Sequence, residues 1–408
     1  MTVKGFRIPL YPNNKQSTRL FQIADATRYI YNWALEFVLN YFEETHKFIS
    51  AFDMTKELTK YKKIEENNWL YTIPNSSLKQ SVKNAADAVK NTFMSNKENH
   101  TNNEVHYKAK YFMDATIYLD SCAIQFDNNY IKIEKITQSK RQNRQRLNWI
   151  KMDKRHKLPT NLKSYYNPTI KFIHEQWYLC IGAEVSDEEV ETVKEIEVCD
   201  GIGIDVGVKD LAICSNEEVF PNINKVSKKL KKLDKQYKHM QRRFNKKSKK
   251  HMIKGEDGKN HVEYTNNMTK LRKKMRRVIA RMTNIRNDYI NKAVDKIIKH
   301  NPPFIAVEDL NIRGMMKNKH LSKAVQNQKL YTFTSKLQYK CEWNGIQFVK
   351  IDRWYPSSKK CSCCGNIYKD LKLKDRVYNC KVCGLSLDRD YNASINIREE
   401  GRRLLSLA

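Results

Sequence analysis

Five of the ten cysteines in this chain crowd between residues 361 and 383. Cys361 and Cys364 form one C-x-x-C and Cys380 and Cys383 another, with 15 residues between the pairs. That is the ligand spacing of a zinc ribbon, in which four thiolates close a tetrahedral shell around one structural ion. Gly365 and Gly384 follow the two pairs, so each turn can fold tightly around its sulfurs. Cys363 does not fit the same fourfold set and is expected to stand outside it. A shell closed by protein ligands stabilises a fold and leaves no position for a substrate.

The second chemistry lies in carboxylates on apolar strands. Gly201-Ile-Gly-Ile-Asp-Val-Gly-Val-Lys-Asp-Leu-Ala-Ile-Cys-Ser215 reads as a buried strand, a turn at Gly207 and a returning strand. The period of two sends Ile202 and Ile204 to one face and Asp205 to the other, beside glycines that leave room for a ligand. A second apolar strand, Pro303-Phe-Ile-Ala-Val-Glu-Asp-Leu310, ends in Glu308 and Asp309. A third group, Ser386-Leu-Asp-Arg-Asp-Tyr-Asn-Ala-Ser-Ile-Asn-Ile397, sets Asp390 just before a helical Ala and Ile period, where a helix amino end favours an anion. Taken singly, Asp210, Asp309 and Asp388 read as surface or helix-capping acids. Brought together, three acids from distant strands and one helix make an open site for magnesium, which prefers carboxylate oxygens, water and phosphate. Two such ions roughly 4 Å apart can activate water and stabilise the leaving oxygen in phosphodiester hydrolysis.

Composition agrees with a phosphate-bearing partner. The 408 residues hold 76 Lys plus Arg against 45 Asp plus Glu, a net charge of +31, which predicts nucleic acid ahead of a small neutral ligand. With 40% hydrophobic and 11% aromatic residues the chain is too apolar for a disordered basic protein, and its length predicts two or three domains. No run of about 18 apolar residues predicts a membrane span. The opening Met-Thr-Val-Lys-Gly-Phe-Arg lacks the pattern of a secretory signal, so the expected location is cytoplasmic, where thiols stay reduced and the cysteines serve as metal ligands or core residues.

The elements that must position these groups fall into blocks. Residues 1 to 12 alternate Phe6, Ile8 and Leu10 with Lys4 and Arg7, as one strand does. From about Leu20 the spacing is helical, through Ile23, Thr27, Ile30, Trp33, Phe37 and Tyr41, and two more helices are expected near 54–67 and 78–94. Residues 95 to 104 are polar and read as an exposed loop. Short strands then recur at 116–119, 123–126, 130–136, 167–173 and 176–182, which suggests an oligonucleotide-binding-type β-barrel joined by the first strand and carrying the helices as an insertion. Lys140 to Arg146 either touches phosphate or forms a solvated loop. The acidic stretch 186–200 reads as a linker and a domain boundary.

Lys225 to Lys250 holds 13 Lys or Arg in 26 residues with one acid, Asp234, while Val226, Leu230, Leu233, Tyr237, Met240 and Phe244 recur at helical spacing. A second amphipathic helix starts near Met268 and runs through Leu271, Met275, Val278, Met282, Ile285 and Tyr289. Joined by 251–266, the pair is expected to pack as a helical hairpin. So dense a positive field repels itself unless phosphates neutralise it. The residues expected on nucleic acid are Lys228, Lys229, Lys232, Arg242, Arg243, Lys246, Lys247, Arg272, Lys273 and Arg276.

The succession Gly203-Ile-Asp-Val-Gly, Val307-Glu-Asp-Leu-Asn, Pro356-Ser-Ser-Lys-Lys-Cys-Ser-Cys-Cys-Gly and Asp388-Arg-Asp-Tyr-Asn-Ala-Ser-Ile-Asn resembles the TnpB family of bacterial insertion sequences, relatives of the compact type V CRISPR effector nucleases. The match spans the carboxyl-terminal half; Phe6-Arg-Ile-Pro-Leu-Tyr-Pro-Asn and Tyr31-Asn-Trp-Ala-Leu-Glu resemble the family more loosely. The extra Cys363, and Ser394 where a second alanine is usual, depart from its pattern.

The resemblance implies a multidomain α+β protein. An RNase H-like (RuvC-like) α/β nuclease domain, 191–356 and 387–408 with the basic hairpin at 225–300, would be interrupted by a zinc ribbon at 357–386 that binds target nucleic acid. Ahead of it would stand a wedge β-barrel, 1–18 and 104–190, split by a helical recognition domain, 19–103. The family's acids map onto Asp205, Glu308 and Asp390, expected to hold two catalytic magnesium ions, and its zinc ligands onto Cys361, Cys364, Cys380 and Cys383. The implied activity is RNA-guided cutting of double-stranded target DNA next to a short flanking motif, with a guide RNA derived from the transposable element and no membrane partner. A guide-independent transposition nuclease and a guided regulator that does not cut are the alternatives.

Overall fold

The computed structural model describes residues 2–109, 115–121, 124–137, 146–155, 164–185, 201–255, 260–368, 370–372 and 375–406. The chain divides into two compact units, 1–189 and 190–408. The linker expected over 186–200, residues 140–145 of the basic stretch, Cys122 and Cys199 lie outside the described residues.

In the first unit β1 (Thr2–Tyr11) leads into α1 (Asn14–Thr45). The helix starts six residues before the hydrophobic period does, at a capping box in which Asn13 Oδ1 accepts from the Gln16 amide and Gln16 Oε1 from the Asn13 amide, each at 2.9 Å. Then come α2 (Ala51–Lys63), a 3-10 helix (Glu65–Thr72) and α3 (Asn75–Asn99). Residues 95–99, expected to open a loop, extend α3 instead. No Gly or Pro interrupts them, and the helix stops only at His100, whose left-handed φ of 49° turns its amide onto the Asn96 carbonyl.

Six strands follow: β2 (Ala115–Tyr118), β3 (Ile124–Asp127), β4 (Tyr130–Ile133), β5 (Trp149–Met152), β6 (Tyr165–Ile173) and β7 (Gln176–Val185). They join β1 in an antiparallel sheet of order β2-β6-β7-β1-β5-β4-β3, with Phe6 opposite Ile181 and Leu10 opposite both Trp177 and Met152. The three helices are thus inserted between the first strand and the rest of its sheet. Among the described residues β2 and β3 stand at the two ends of this strand order. Both edge strands are only four residues long, which limits exposed ladder groups. Strand β5 escaped the sequence reading, although its Trp-Ile-Lys-Met alternation, with Ile150 fully buried, is the signal for it. One core joins sheet and helices, including Ile8, Leu10, Ile150 and Leu179 with Leu20, Ile23 and Ile30.

The second unit is built on β8 (Ile202–Val206), β9 (Asp210–Cys214) and β10 (Val219–Pro221). Next come α4 (Ile223–Val226), α5 (Lys228–Lys250), a small hairpin of β11 (Met252–Lys254) and β12 (Asn260–Val262), and α6 (Asn266–Lys299). Ser227 separates α4 from α5 and caps the latter, its hydroxyl accepting from the Leu230 amide at 3.2 Å. Then follow β13 (Phe304–Glu308), α7 (Ile312–Lys317), α8 (Ser322–Gln328), α9 (Leu330–Trp343) and β14 (Gln347–Ile351). The chain continues with β15 (Val377–Asn379), β16 (Ser386–Asp388) and α10 (Arg389–Ser406).

The central sheet has the order β10-β9-β8-β13-β14. Its first three strands are antiparallel neighbours, whereas β8, β13 and β14 are parallel. Helices cover both faces, which is why these strands read as nearly continuous apolar runs. On one face Ile202, Ile204, Ile305 and Val307 pack with Ile290, Val294 and Ile297 of α6 and Phe333 and Leu337 of α9. On the other, Phe304, Ala306 and Ile351 pack against Ile397 of α10.

Candidate active site

Strand period decides which acids can meet. Gly203 and Asp205 share one face of β8, and Ala306 and Glu308 share the same face of β13, since Ala306 pairs with Gly203 and Val307 with Ile204. One step on, Glu308 and Asp205 stand side by side on neighbouring strands about 5 Å apart. That face carries α10. A β-carbon on Gly203 would lie 2.1 Å from the Ser394 carbonyl oxygen, and one on Gly401 would lie 2.5 Å from the Ala306 side chain. Glycine at both positions lets the helix sit directly on the strands. From Ser394 the helix runs back one turn to Asp390, along the same direction as the strand step from Gly203 to Asp205. The three expected acids therefore converge at the carboxyl ends of the parallel strands.

Their electrostatics record the convergence. Burial, then the Glu308 carboxylate, then that of Asp390 push the Asp205 carboxyl up to about 8. Burial likewise raises Glu308, opposed by a hydrogen bond from the buried Ser357 hydroxyl to Oε1. Asp390 is ringed by cations: Arg389 at 2.9 Å, Arg376 at 3.9 Å and Lys209 at 4.0 Å. The neighbouring acids have other work. Asp388 caps α10, accepting from the Asp390 amide at 2.9 Å and the Tyr391 amide at 3.1 Å. Asp309 pairs with Arg353, and Asp210 lies 3.8 Å from Lys209. Two half-buried carboxylates, Asp205 and Glu308, thus neighbour a third, Asp390, and carboxylate oxygens are the donor type magnesium prefers. Among the described residues only the four cysteines are drawn close enough together to hold one ion as they stand.

The four expected zinc ligands meet, their sulfurs all within 4.8 Å of one another. Two copies of one turn build this site. Gly365 donates to the Cys361 carbonyl at 3.0 Å and Gly384 to the Cys380 carbonyl at 3.1 Å, with φ of 75° and 74°. The Cys361 amide reaches the Asn366 carbonyl and the Cys380 amide the Leu385 carbonyl, both at 2.8 Å. Backbone amides of Cys383 and Val382 bring the Cys380 thiol down to about 6, whereas Cys364 is raised and Cys383 is pushed up to about 12, so the four sulfurs share their protons unequally. Cys363 is exposed and outside the set. Four thiolates at this separation fit one tetrahedral zinc. Beneath them Tyr378 is fully buried and donates to the Lys359 or Asn366 carbonyl, each 3.2 Å away. Strand β16 then runs straight into α10 and Asp390.

The basic hairpin forms a third feature. Leu230, Leu233 and Met282 make its core, and a cleft of about 830 Å³ opens between α5 and α6. Of the residues expected on nucleic acid, Lys232, Arg242, Arg243 and Lys247 line it; Lys228, Lys229, Lys246, Arg272, Lys273 and Arg276 do not. Arg272 instead lies over the Tyr264 ring, 5.5 Å from its centroid. Lys235, His239, Lys270 and Lys274 also line the cleft and escaped the sequence reading. The period of α5 tells which residues share a face, but choosing the cleft face needs the packing phase of α6. Ser357, Asn392 and Asn396 were missed as well, because buried polar residues look like surface ones in a sequence.

Three family patterns match the chain. Residues 183–319 match the OrfB family of IS605, described as "Probable transposase", 331–397 the Cas12f1-like TNB domain, and 1–47 the "Helix-turn-helix domain" of the same OrfB family. Here the last segment holds β1 and the single long helix α1. A "Putative RNA-guided DNA endonuclease" of Streptomyces pristinaespiralis is 27% identical over 98% of this chain and 89% of that protein. The "Putative RNA-guided DNA endonuclease InsQ" of Escherichia coli (strain K12) is 26% identical over 99% and 94%. Among solved structures, that of the mini-RNA-guided endonuclease CRISPR-Cas_phi3 aligns over 98% of this chain and 92% of its own, with a TM-score of 0.51 at 10% identity, a likeness of fold.

Proposed function

The chain belongs to the TnpB family of insertion-sequence proteins, relatives of the compact type V CRISPR effector nucleases, and on that premise we propose that it is an RNA-guided DNA endonuclease with a single RuvC-like, magnesium-dependent site. The convergence of Asp205, Glu308 and Asp390 on one face of β8, β13 and α10 carries this reading. Three antiparallel strands continued by two parallel ones, with a helix laid across the acids, support an RNase H-like fold for 191–356 and 387–408. The ribbon at 357–386 interrupts it. The sheet of the first unit, 1–18 and 104–190, would act as the wedge, and its inserted helices, 19–103, as the recognition domain that reads a short flanking duplex.

Asp205, Glu308 and Asp390 would hold two magnesium ions. When bound, these ions supply the positive charge that hydrolysis of a phosphodiester requires on its attacking and leaving oxygens. The chain does the rest. Gly203 and Gly401 let α10 approach closely enough for its first turn to complete the acid set. Lys209, Arg376 and Arg389 around Asp390 draw a phosphate toward the acids. The cleft between α5 and α6 would grip the guide RNA or its hybrid with DNA by its phosphates, leaving sequence choice to base pairing. Zinc in the Cys361, Cys364, Cys380 and Cys383 site would hold the ribbon folded and with it the start of α10.

The deciding experiment purifies the protein with its RNA, sequences that RNA, and supplies plasmids matching it in magnesium buffer. Guide-matched linearisation is the expected result. Cutting by RNA-free protein would overturn the guided reading, and guided binding without cutting would overturn the enzyme.

A further inference from the structure

The loop between β14 and the ribbon is gripped from two sides. The Ser357 hydroxyl donates to Glu308 Oε1, while the Ser357 carbonyl accepts from Asn396 Nδ2 at 2.8 Å. The same Asn396 amide donates to the Lys360 carbonyl at 2.7 Å. One turn earlier on α10, Asn392 donates to that carbonyl at 2.7 Å, and its Oδ1 accepts from the Ser362 amide at 3.0 Å. Asn392, Asn396 and Ser357 are 0%, 2% and 5% exposed. Three polar side chains so deeply buried, in a segment that could have been apolar, need a reason beyond filling space.

What they do is fix a carboxylate. A glutamate has three rotatable bonds, and a metal ligand must present its oxygens in one orientation. The serine holds one oxygen through a single hydrogen bond, which leaves the carboxylate ample acceptor capacity for a cation. The serine is in turn held by an asparagine on the helix that carries Asp390, six residues from that acid. We propose that Ser357 and Asn396 are positioning residues for metal binding by Glu308, so that α10 supplies the third acid and also sets the orientation of the second. This inference rests on Glu308 being a metal ligand. The same linkage makes the acid set one mechanical unit: anything that shifts α10 on the sheet moves Asp390 and loosens Glu308 together.

The test titrates Mn²⁺ into the zinc-loaded, RNA-bound protein, reading free Mn²⁺ by electron paramagnetic resonance and, in parallel, the Mn²⁺ concentration for half-maximal cutting. Outer ligands of metal sites typically change affinity 10- to 100-fold. Ser357→Ala is therefore expected to weaken Mn²⁺ binding by about 10-fold, with its thermal midpoint near that of the unaltered protein. Ser357→Thr, which keeps the hydroxyl, should restore affinity, and Asn396→Asp, which has the same shape but no donor, should weaken it as Ser357→Ala does. Wild-type Mn²⁺ affinity in Ser357→Ala, with binding lost in Glu308→Ala, would overturn the positioning role. Wild-type affinity in Glu308→Ala would instead overturn the reading of Glu308 on which it rests.

Discussion

The Ser394 carbonyl oxygen lies 2.1 Å from where a β-carbon on Gly203 would be, and the Arg398 amide nitrogen lies 2.4 Å from it. Both are backbone atoms, so no change of rotamer can relieve a side chain there. Gly203→Ala must lift α10 from β8. Overpacking of this kind costs about 1–3 kcal/mol, at times more. The expected result is a lower urea midpoint together with a fall in cutting, because Asp390 retreats from Asp205. Unchanged stability would show that the helix leaves room for a methyl group on the strand.

Asp205→Asn, Glu308→Gln and Asp390→Asn should each remove guided plasmid cutting while the protein still copurifies with RNA. Asp388→Asn is the control two residues from Asp390. Asparagine caps a helix as well as aspartate does, so this variant should keep both the cap and the activity. Cutting rates of the four proteins at one magnesium concentration separate ligand from cap.

Elemental analysis should find one zinc per chain, lost in Cys361→Ser and retained in Cys363→Ser. Stripping the metal with a chelator should expose Tyr378, now fully buried, and open the ribbon to proteolysis. Persistent protease resistance after zinc loss would contradict a metal-held fold.

Reversing two charges in the cleft, Lys232→Glu with Arg243→Glu, should weaken RNA binding more at low salt than at high. Each phosphate that the protein ceases to neutralise makes the fall of log K with log salt shallower by about 0.7–0.9. A salt slope equal to that of the unaltered protein would place the RNA elsewhere.

Acid should strike the first unit through Asp153. Its carboxylate receives the Arg155 side chain at 2.8 and 3.1 Å, the Arg155 amide at 2.9 Å and the Tyr11 hydroxyl at 2.8 Å. The Arg155 guanidinium, the Arg155 amide and the Tyr11 hydroxyl, in that order, hold it well below the usual carboxylate range. A depressed acid stabilises the fold at any pH above its unfolded value of about 3.9, and that stabilisation fades as pH falls through the lower folded value. Asp153→Asn should therefore be less stable than the unaltered protein at pH 7 and lose less stability on acidification. Urea midpoints at pH 7 and about pH 2.5 check the sign.

The candidate site was legible in the sequence where a short period constrains it. Alternation alone sends Asp205 away from Ile202 and Ile204, and turn spacing alone pairs the cysteines. The clasp of Ser357, Asn392 and Asn396 was not readable, because a buried amide differs from an exposed one only through partners distant in sequence. Asn13 and Gln16 were a missed opportunity: their three-residue spacing is a local cap signal that places the start of α1 ahead of its first apolar stripe. The extension of α3 through 95–99 shows the converse, since polarity alone does not end a helix that no Gly or Pro interrupts.

Four hydrogen bonds, three donated by Asn392 and Asn396 and one accepted by Asn392 from the Ser362 amide, fasten the root of the ribbon to α10. At about 1 kcal/mol each, they make that root a stiff joint. The stem of the ribbon up to Ser362 and the start of α10 are thereby held together as one piece. Loss of the ribbon's fold would therefore reach the first turns of α10, and with them Asp390, through these two amides.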